Sequence, residues 1–331
     1  MWDLVKRLTE AYGPAGAEGP VRDIIRKEVE PYVDEIRVDA LGNLICLKNG
    51  TGGGKRVLLD AHIDEIGLMV THIDDKGFLR FANIGGVNPF IALGQRVYFE
   101  NGTFGVVGSE RIQDPKEMKT EKLFIDIGVS NKKEAEAKVR VGDSAAFFQP
   151  AILLGQRIVA KALDDRVACA VIIEVLKRLG RVANDIYAVF ATQEEVGLRG
   201  ARVAAFEVSP DVGIALDVTR TGDTPKTVTM EVSLGGGAAI KVKDASLICT
   251  PAVRNYMVKI AEDQGIKYQL EVLQTGGTDS AAIQMTKTGI PTGAISIPCR
   301  YIHSPCEMVD LGDLEECVKL GKALCESPLE F

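Results

Sequence analysis

The sequence predicts a mixed, mostly parallel α/β sheet flanked by helices and interrupted by an inserted β-rich domain. Three observations carry this. Helical and strand patterns alternate after Val159, a short apolar strand stands at Arg56–Ala61, and the stretch between them reads as short strands broken by turn signals. With 331 residues the chain exceeds the roughly 250–300 at which single cores stop growing. Residues 1–66 and 160–331 are therefore expected to form one domain, and residues 67–159 a second domain inserted into it.

Residues 1–66 read as an amphipathic helix, the Pro/Gly-rich loop Gly13-Pro14-Ala15-Gly16, a helix near Pro20–Val29, and strands at Glu35–Val38, Asn43–Leu47 and Arg56–Ala61. In the insertion, Asn101-Gly102 marks a hairpin between Arg96–Glu100 and Thr103–Gly108. The alternating series then predicts helices at Asp164–Leu179, Gly200–Ala205, Pro251–Gln264, Thr278–Thr286 and Leu311–Cys325. Strands are expected at Asp185–Ala191, Val212–Asp217, Tyr268–Val272 and Thr292–Ile297.

Composition narrows the function. The 39 Lys and Arg against 46 Asp and Glu form no basic run, so nucleic acid is not an expected partner. Met1-Trp2-Asp3-Leu4-Val5-Lys6-Arg7 carries charge where a signal peptide needs an apolar core, and no apolar run nears the roughly 20 residues of a membrane span. A cytoplasmic protein with no membrane partner is expected. Seven cysteines without Cys-x-x-Cys spacing suit reduced thiols.

The chemistry gathers where predicted strands end. His62, one of three histidines, lies in Ala61-His62-Ile63-Asp64-Glu65-Ile66-Gly67 just after a buried strand, at the rim where open α/β sheets place their sites. Asp64 could accept the other ring N–H and fix the tautomer, as metal-bound histidines require. Asp164-Asp165-Arg166 opens a helix, where capping alone would explain an aspartate. Glu194 and Glu195 follow the apolar strand Ile186–Ala191, so that one could bind metal while the other handles a proton. Asp217 ends an apolar strand, and His303 lies just beyond Thr292–Ile297. Each has an ordinary loop reading. Together, five O and N donors with no thiolate suit Zn²⁺, Co²⁺ or Mn²⁺, and five exceed a single open zinc site but can hold two ions if one carboxylate bridges.

At these residues the chain resembles the tetrahedral (TET) aminopeptidases, relatives of the glutamyl aminopeptidases in the di-zinc exopeptidase superfamily. The anchors are Ala61–Gly67, Ala162–Arg166, Gln193–Gly197, Asp217-Val218, Gly276–Asp279 and Ile302–Glu307. The resemblance implies Asp164 as bridging ligand, His62 and Asp217 completing one metal site, Glu195 and His303 completing the other, Glu194 as general base, Asp64 behind His62, and a cis bond between Asp164 and Asp165. It also implies peptide substrates with free N-termini, a PDZ-like barrel for the insertion, and a homo-oligomer, the tetrahedral dodecamer. Gly277, Thr278 and Asp279 would shape the substrate pocket, although Thr278 or Asp279 could equally cap the following helix. Arg220 would favour acidic residues if it reaches the side-chain pocket; an exposed loop arginine is the commoner role.

Other features carry less. The run Gly50–Arg56 lacks the residues of a phosphate loop, Gly235-Gly236-Gly237 lacks a strand-to-helix context, and His72 lies in an alternating strand of the insertion. Cys299 and Cys306 read as buried thiols beside the site. A glycosidase using a carboxylate pair would leave both histidines unexplained. A deacetylase or carboxypeptidase would share the metal chemistry, and a non-enzymatic binding protein would not need the full constellation.

Overall fold

The computed structural model describes residues 1–330. Among them, eight strands form the main sheet, in the order Glu35–Val38, Leu44–Lys48, Asp185–Ala191, Arg56–His62, Val212–Thr219, Thr292–Pro298, Ala238–Lys243 and Tyr268–Val272. The four strands 185–191, 56–62, 212–219 and 292–298 are mutually parallel, so their C-terminal ends emerge along one edge. Every residue of Val212–Thr219 is buried, because helices cover both faces. Leu163–Arg178 and Leu311–Glu326 pack on one face, Arg199–Val208 and Asp279–Gln284 on the other. Leu163–Arg178 alone buries Val167, Val171, Ile172, Ile173, Val175 and Leu176, each stabilising by roughly 1.5–3 kcal/mol relative to exposure.

Between Gly67 and Phe147, six strands close a barrel in the order 67–73, 79–84, 123–126, 104–109, 96–99 and 144–147. It has its own core, in which Leu68, Val70, Leu79, Val97, Phe99, Val107 and Ile125 pack together.

Residues 151–159, expected in the insertion, pack elsewhere. Ile152–Leu154 and Arg157–Ala160 form a three-stranded sheet with Glu307–Asp310, and Ala151, Ile158 and Ala160 join the core of the main domain. Their strand spacing resembles that of the barrel, so the local pattern cannot assign them. The strand Ala238–Lys243 was also hidden. Lys241 interrupts its apolar run, and yet is buried against Glu271 and 3.6 Å from Asp244. No described helix is long and apolar enough to cross a membrane.

Candidate metal centre

The floor of the site is tied down first. Arg166, wholly buried, donates its guanidinium N–H groups to the carbonyls of Ile63, Leu8, Ala11 and Gly13 and to Glu65, satisfying all five donors. Gly13 must lack a side chain, since a Cβ there would lie 2.6 Å from Arg166 Nη2. Lys161 closes the cluster on Glu65 at 2.6 Å, and burial lowers its ammonium to about 8 although Glu65 opposes the shift. The N-terminal helix is thereby locked beneath the segment carrying His62.

His62 is the last residue of its strand and is 2% exposed. Its Nδ1 donates to the Asp64 backbone carbonyl at 3.2 Å and lies 3.4 Å from Asp64 Oδ1, and its Nε2 lies 3.1 Å from Asp164 Oδ1 and 3.8 Å from Glu194 Oε2. The Asp64 carboxylate also accepts the backbone N–H of Glu194 at 3.0 Å and of Glu195 at 3.1 Å, so one residue orients the histidine, mainly through its carbonyl, and the glutamate loop through its carboxylate. The other oxygen of Asp164 lies 3.3 Å from His303 Nε2, which is 3.2 Å from Glu195 Oε1. Asp217 joins through a second group: ligating atoms of His62, Asp165 and Asp217 lie within 4.8 Å of one another, as do those of His62, Asp164 and Glu195. All five side chains singled out from the sequence therefore converge.

Neither aspartate caps the helix. Asp164 and Asp165 have non-helical backbone and no capping hydrogen bond forms, and the bond joining them is cis, as the resemblance implied. Glu307 holds this turn: its carboxylate accepts Asp164 N–H at 2.9 Å and His303 N–H at 2.8 Å. Asp165 accepts the His62 N–H at 3.3 Å, and its other buried oxygen has no partner among the described residues. Beyond their places beside Asp164 and four residues after His303, Asp165 and Glu307 carry no separate signal in the sequence.

The electrostatics suit a cation. Burial pushes the carboxyls of Glu194, Glu195, Asp217 and Glu307 upward, with Asp164 adding to the rise at Glu195, Asp217 and Glu307. Burial works against a charge on His303, yet Asp164 and Glu195 push it up to about 11. Asp164 is held low despite burial, by His303 and His62. Clustered buried carboxylates with imidazoles and a spare buried oxygen make a donor set fitting divalent ions of the zinc, cobalt or manganese kind. His72 is exposed on the barrel and takes no part, and neither cysteine near His303 is a ligand: Cys299 is buried, whereas Cys306, expected buried, is exposed.

The family model described as M42 glutamyl aminopeptidase matches residues 42–320. The chain belongs to this family. It is 36% identical over 346 residues to the lysyl aminopeptidase of Pyrococcus furiosus, covering 100% of this chain and 99% of the relative. Among solved structures it is similar to aminopeptidase APDkam598 of Desulfurococcus kamchatkensis, with a TM-score of 0.95, 42% identity and coverage of 98% and 94%. It is also similar to the TET1 peptidase of Pyrococcus horikoshii, which assembles into a tetrahedron or a large octahedral shell, with a TM-score of 0.87, 35% identity and 98% coverage of each chain. Like the M42 family, the protein is a metal-dependent aminopeptidase.

In this M42 aminopeptidase the cluster lines a cavity of about 440 Å³ whose other walls include Leu198, Arg220, Ser246, Leu273, Gly277 and Ile302. A larger groove of about 680 Å³ lies between Tyr12, Gly16 and the barrel residues Met69 and Ser144, away from these groups. Arg220 is exposed at the cavity and makes no ion pair among the described residues. Gly277 lines the cavity, but Thr278 and Asp279 do not. Both are buried where the chain turns into the helix Asp279–Gln284, which carries Asp279 inward against Asp60. Nor do they cap that helix, for no N–H of its first turn donates to the Thr278 hydroxyl or the Asp279 carboxylate.

Proposed function

We propose that this aminopeptidase works with two divalent ions, zinc or cobalt, with manganese the third candidate, and that Asp164 is shared between them. His62 and Asp217 would complete one site, Glu195 and His303 the other. The observation that carries this reading is the Asp164 carboxylate, whose two oxygens face different histidines at 3.1 and 3.3 Å. When bound, such ions acidify water and place positive charge beside a scissile carbonyl.

The protein's own part is proton handling and orientation. Glu194, 3.8 Å from His62 Nε2 at the edge of the centre, takes up the proton released on attack and returns it to the leaving amine. Asp64 keeps His62 in one tautomer and holds the loop that aims Glu194. Carboxylates around the centre can pair with the free ammonium of a peptide, and a blocked terminus cannot. Arg220, with Gly277 on the same cavity, would favour an acidic first side chain. Residues 67–150 would serve assembly, and the exposed Ile152, Leu153 and Leu154 on an edge strand support a homo-oligomer, the tetrahedral form being the one the resemblance suggests. Free cysteines, six of seven buried, support a reducing cytoplasmic setting.

The test is hydrolysis of free and N-acetylated peptides carrying Glu or Leu at the first position, with enzyme stripped by chelator and reloaded with Zn²⁺ or Co²⁺. Cleavage of free-amine peptides alone, one residue at a time and only after reloading, supports the reading. Release of acetate or of C-terminal residues would make it a deacetylase or carboxypeptidase, and no hydrolysis of any peptide would favour the glycosidase alternative, whose carboxylate pair cleaves a sugar bond without metal. A preference for Leu would remove the role given to Arg220.

A further inference from the structure

The inserted barrel touches the metal centre through two consecutive glycines. A Cβ on Gly86 would lie 2.5 Å from His303 Nδ1 and 2.8 Å from its Cε1, and a Cβ on Gly85 would lie 2.9 Å from Glu195 Oε2 and 3.2 Å from Glu195 Cβ. His303 and Glu195 come from different loops of the main domain, whereas both glycines follow the barrel strand Leu79–Ile84. The turn is anchored in the barrel. Val87 packs in its core and donates its N–H to the Gly85 carbonyl at 3.0 Å, and Asn83 Nδ2 donates to the Val87 carbonyl at 3.1 Å.

We propose that the Gly85–Gly86 turn is a positioning element for the second metal site, a wall that fixes the His303 ring and the Glu195 carboxylate from the barrel side. This rests on the two-ion reading above. Nε2 of His303 faces Asp164 and Glu195 while Nδ1 faces Gly86, so the ring is held between carboxylates and barrel backbone. The imidazole can stay against the carboxylates only if no side chain stands at 86. Gly85 is needed for its backbone as well, since its φ is +71°. Gly86 is different: it is not among the positive-φ positions, so alanine fits its backbone and the histidine ring is what opposes a side chain. The insertion thereby gains a role at the reacting centre besides assembly.

The experiment compares Gly86→Ala with Gly180→Ala, whose Cβ would meet open space. Zn²⁺ and Co²⁺ binding are titrated by competition with a chelator, the visible spectrum of the Co²⁺ protein is recorded, and urea stability of the metal-free protein is measured with and without His303→Ala. The Gly86→Ala protein should bind its second ion about 10–100-fold more weakly, the range for disturbing a residue that orients a ligand, with the first ion unaffected and the Co²⁺ spectrum altered. Its loss of stability should vanish in the His303→Ala background. Gly180→Ala should change none of these. Wild-type affinity for both ions in Gly86→Ala, or a stability cost that persists without the His303 ring, overturns the proposal. If the wild-type protein itself takes up only one ion, the two-ion reading fails, and a cost that vanishes with His303→Ala still upholds the positioning of the ring.

Discussion

His62 and His303 approach one carboxylate from opposite sides but are held by different means. His62 ends a central strand, is 2% exposed, and is fixed through its ring by Asp64. His303 rides on a loop with φ +62°, its side chain is 34% exposed, and it is fixed through its backbone by Glu307 and at its ring by the barrel glycines. One half of the centre is built by the sheet and the other by a convergence of loops. A sheet-borne ligand inherits the rigidity of the core, whereas a loop-borne one must be clamped by residues distant in sequence.

Four measurements would break or sharpen that contrast. With Glu194 as the proposed base and no ligand removed, Glu194→Gln should lower kcat by about 10²–10⁴-fold with both ions retained by metal analysis; substantial remaining turnover would mean another group is the base. His303→Ala should remove one metal equivalent and spare the other, while His62→Ala should weaken the half formed with Asp217. Equal loss from both variants would show the halves to be one inseparable unit. Asp64→Asn leaves the ligands in place but disturbs the ring they depend on, so metal affinity should fall about 10–100-fold. An unchanged affinity would assign the Asp64 carboxylate to the glutamate loop and leave the orientation of His62 to the Asp64 backbone carbonyl.

The smallest effect is on the pH dependence of the metal-free protein. Burial raises Asp60 to about 7, and Glu194, Glu195 and Asp217 are raised as well. A carboxyl whose folded pKa is raised binds protons more tightly in the folded state. Its contribution is present below the ordinary carboxylate range and is lost as pH climbs through the raised value. His303, raised to about 11, has the same sign over its own window. Urea midpoints of the metal-free protein should therefore be lower at pH 8 than at pH 5, and saturating Zn²⁺ should narrow the gap. A higher midpoint at pH 8 without metal would mean these carboxyls are already compensated.

How much of this was legible in the sequence depended on where the information lay. Apolar strands ending in His62, Asp217 or the Glu194-Glu195 pair point to a site as a set, because each strand end alone has an ordinary loop reading whereas several donors gathered at neighbouring strand ends do not. Asp164 was visible only in company, since a cap explains a lone aspartate equally well. Glu307 could not be read, because what it does is accept two backbone N–H groups, one from a residue 143 positions away. The glycines at 85 and 86 were silent for a related reason: their value is the side chain they lack, and only the position of His303 gives that absence meaning. Asp279 misled in the other direction, standing two residues after a cavity-lining glycine but facing inward. Lys241 broke the strand pattern around it, and only its buried contact with Glu271 explains why the strand survives there.

The barrel's return path bears on all of this. The chain leaves the barrel and re-enters the main domain through Arg157–Ala160, which pairs with Glu307–Asp310 so that Ala160 lies opposite Glu307. Glu307 is the residue that grips the backbones of Asp164 and His303. The seam that stitches the insertion to its host therefore runs through the same residue that ties the Asp164 turn to the His303 loop, so barrel attachment and the geometry of the centre share one strand pairing.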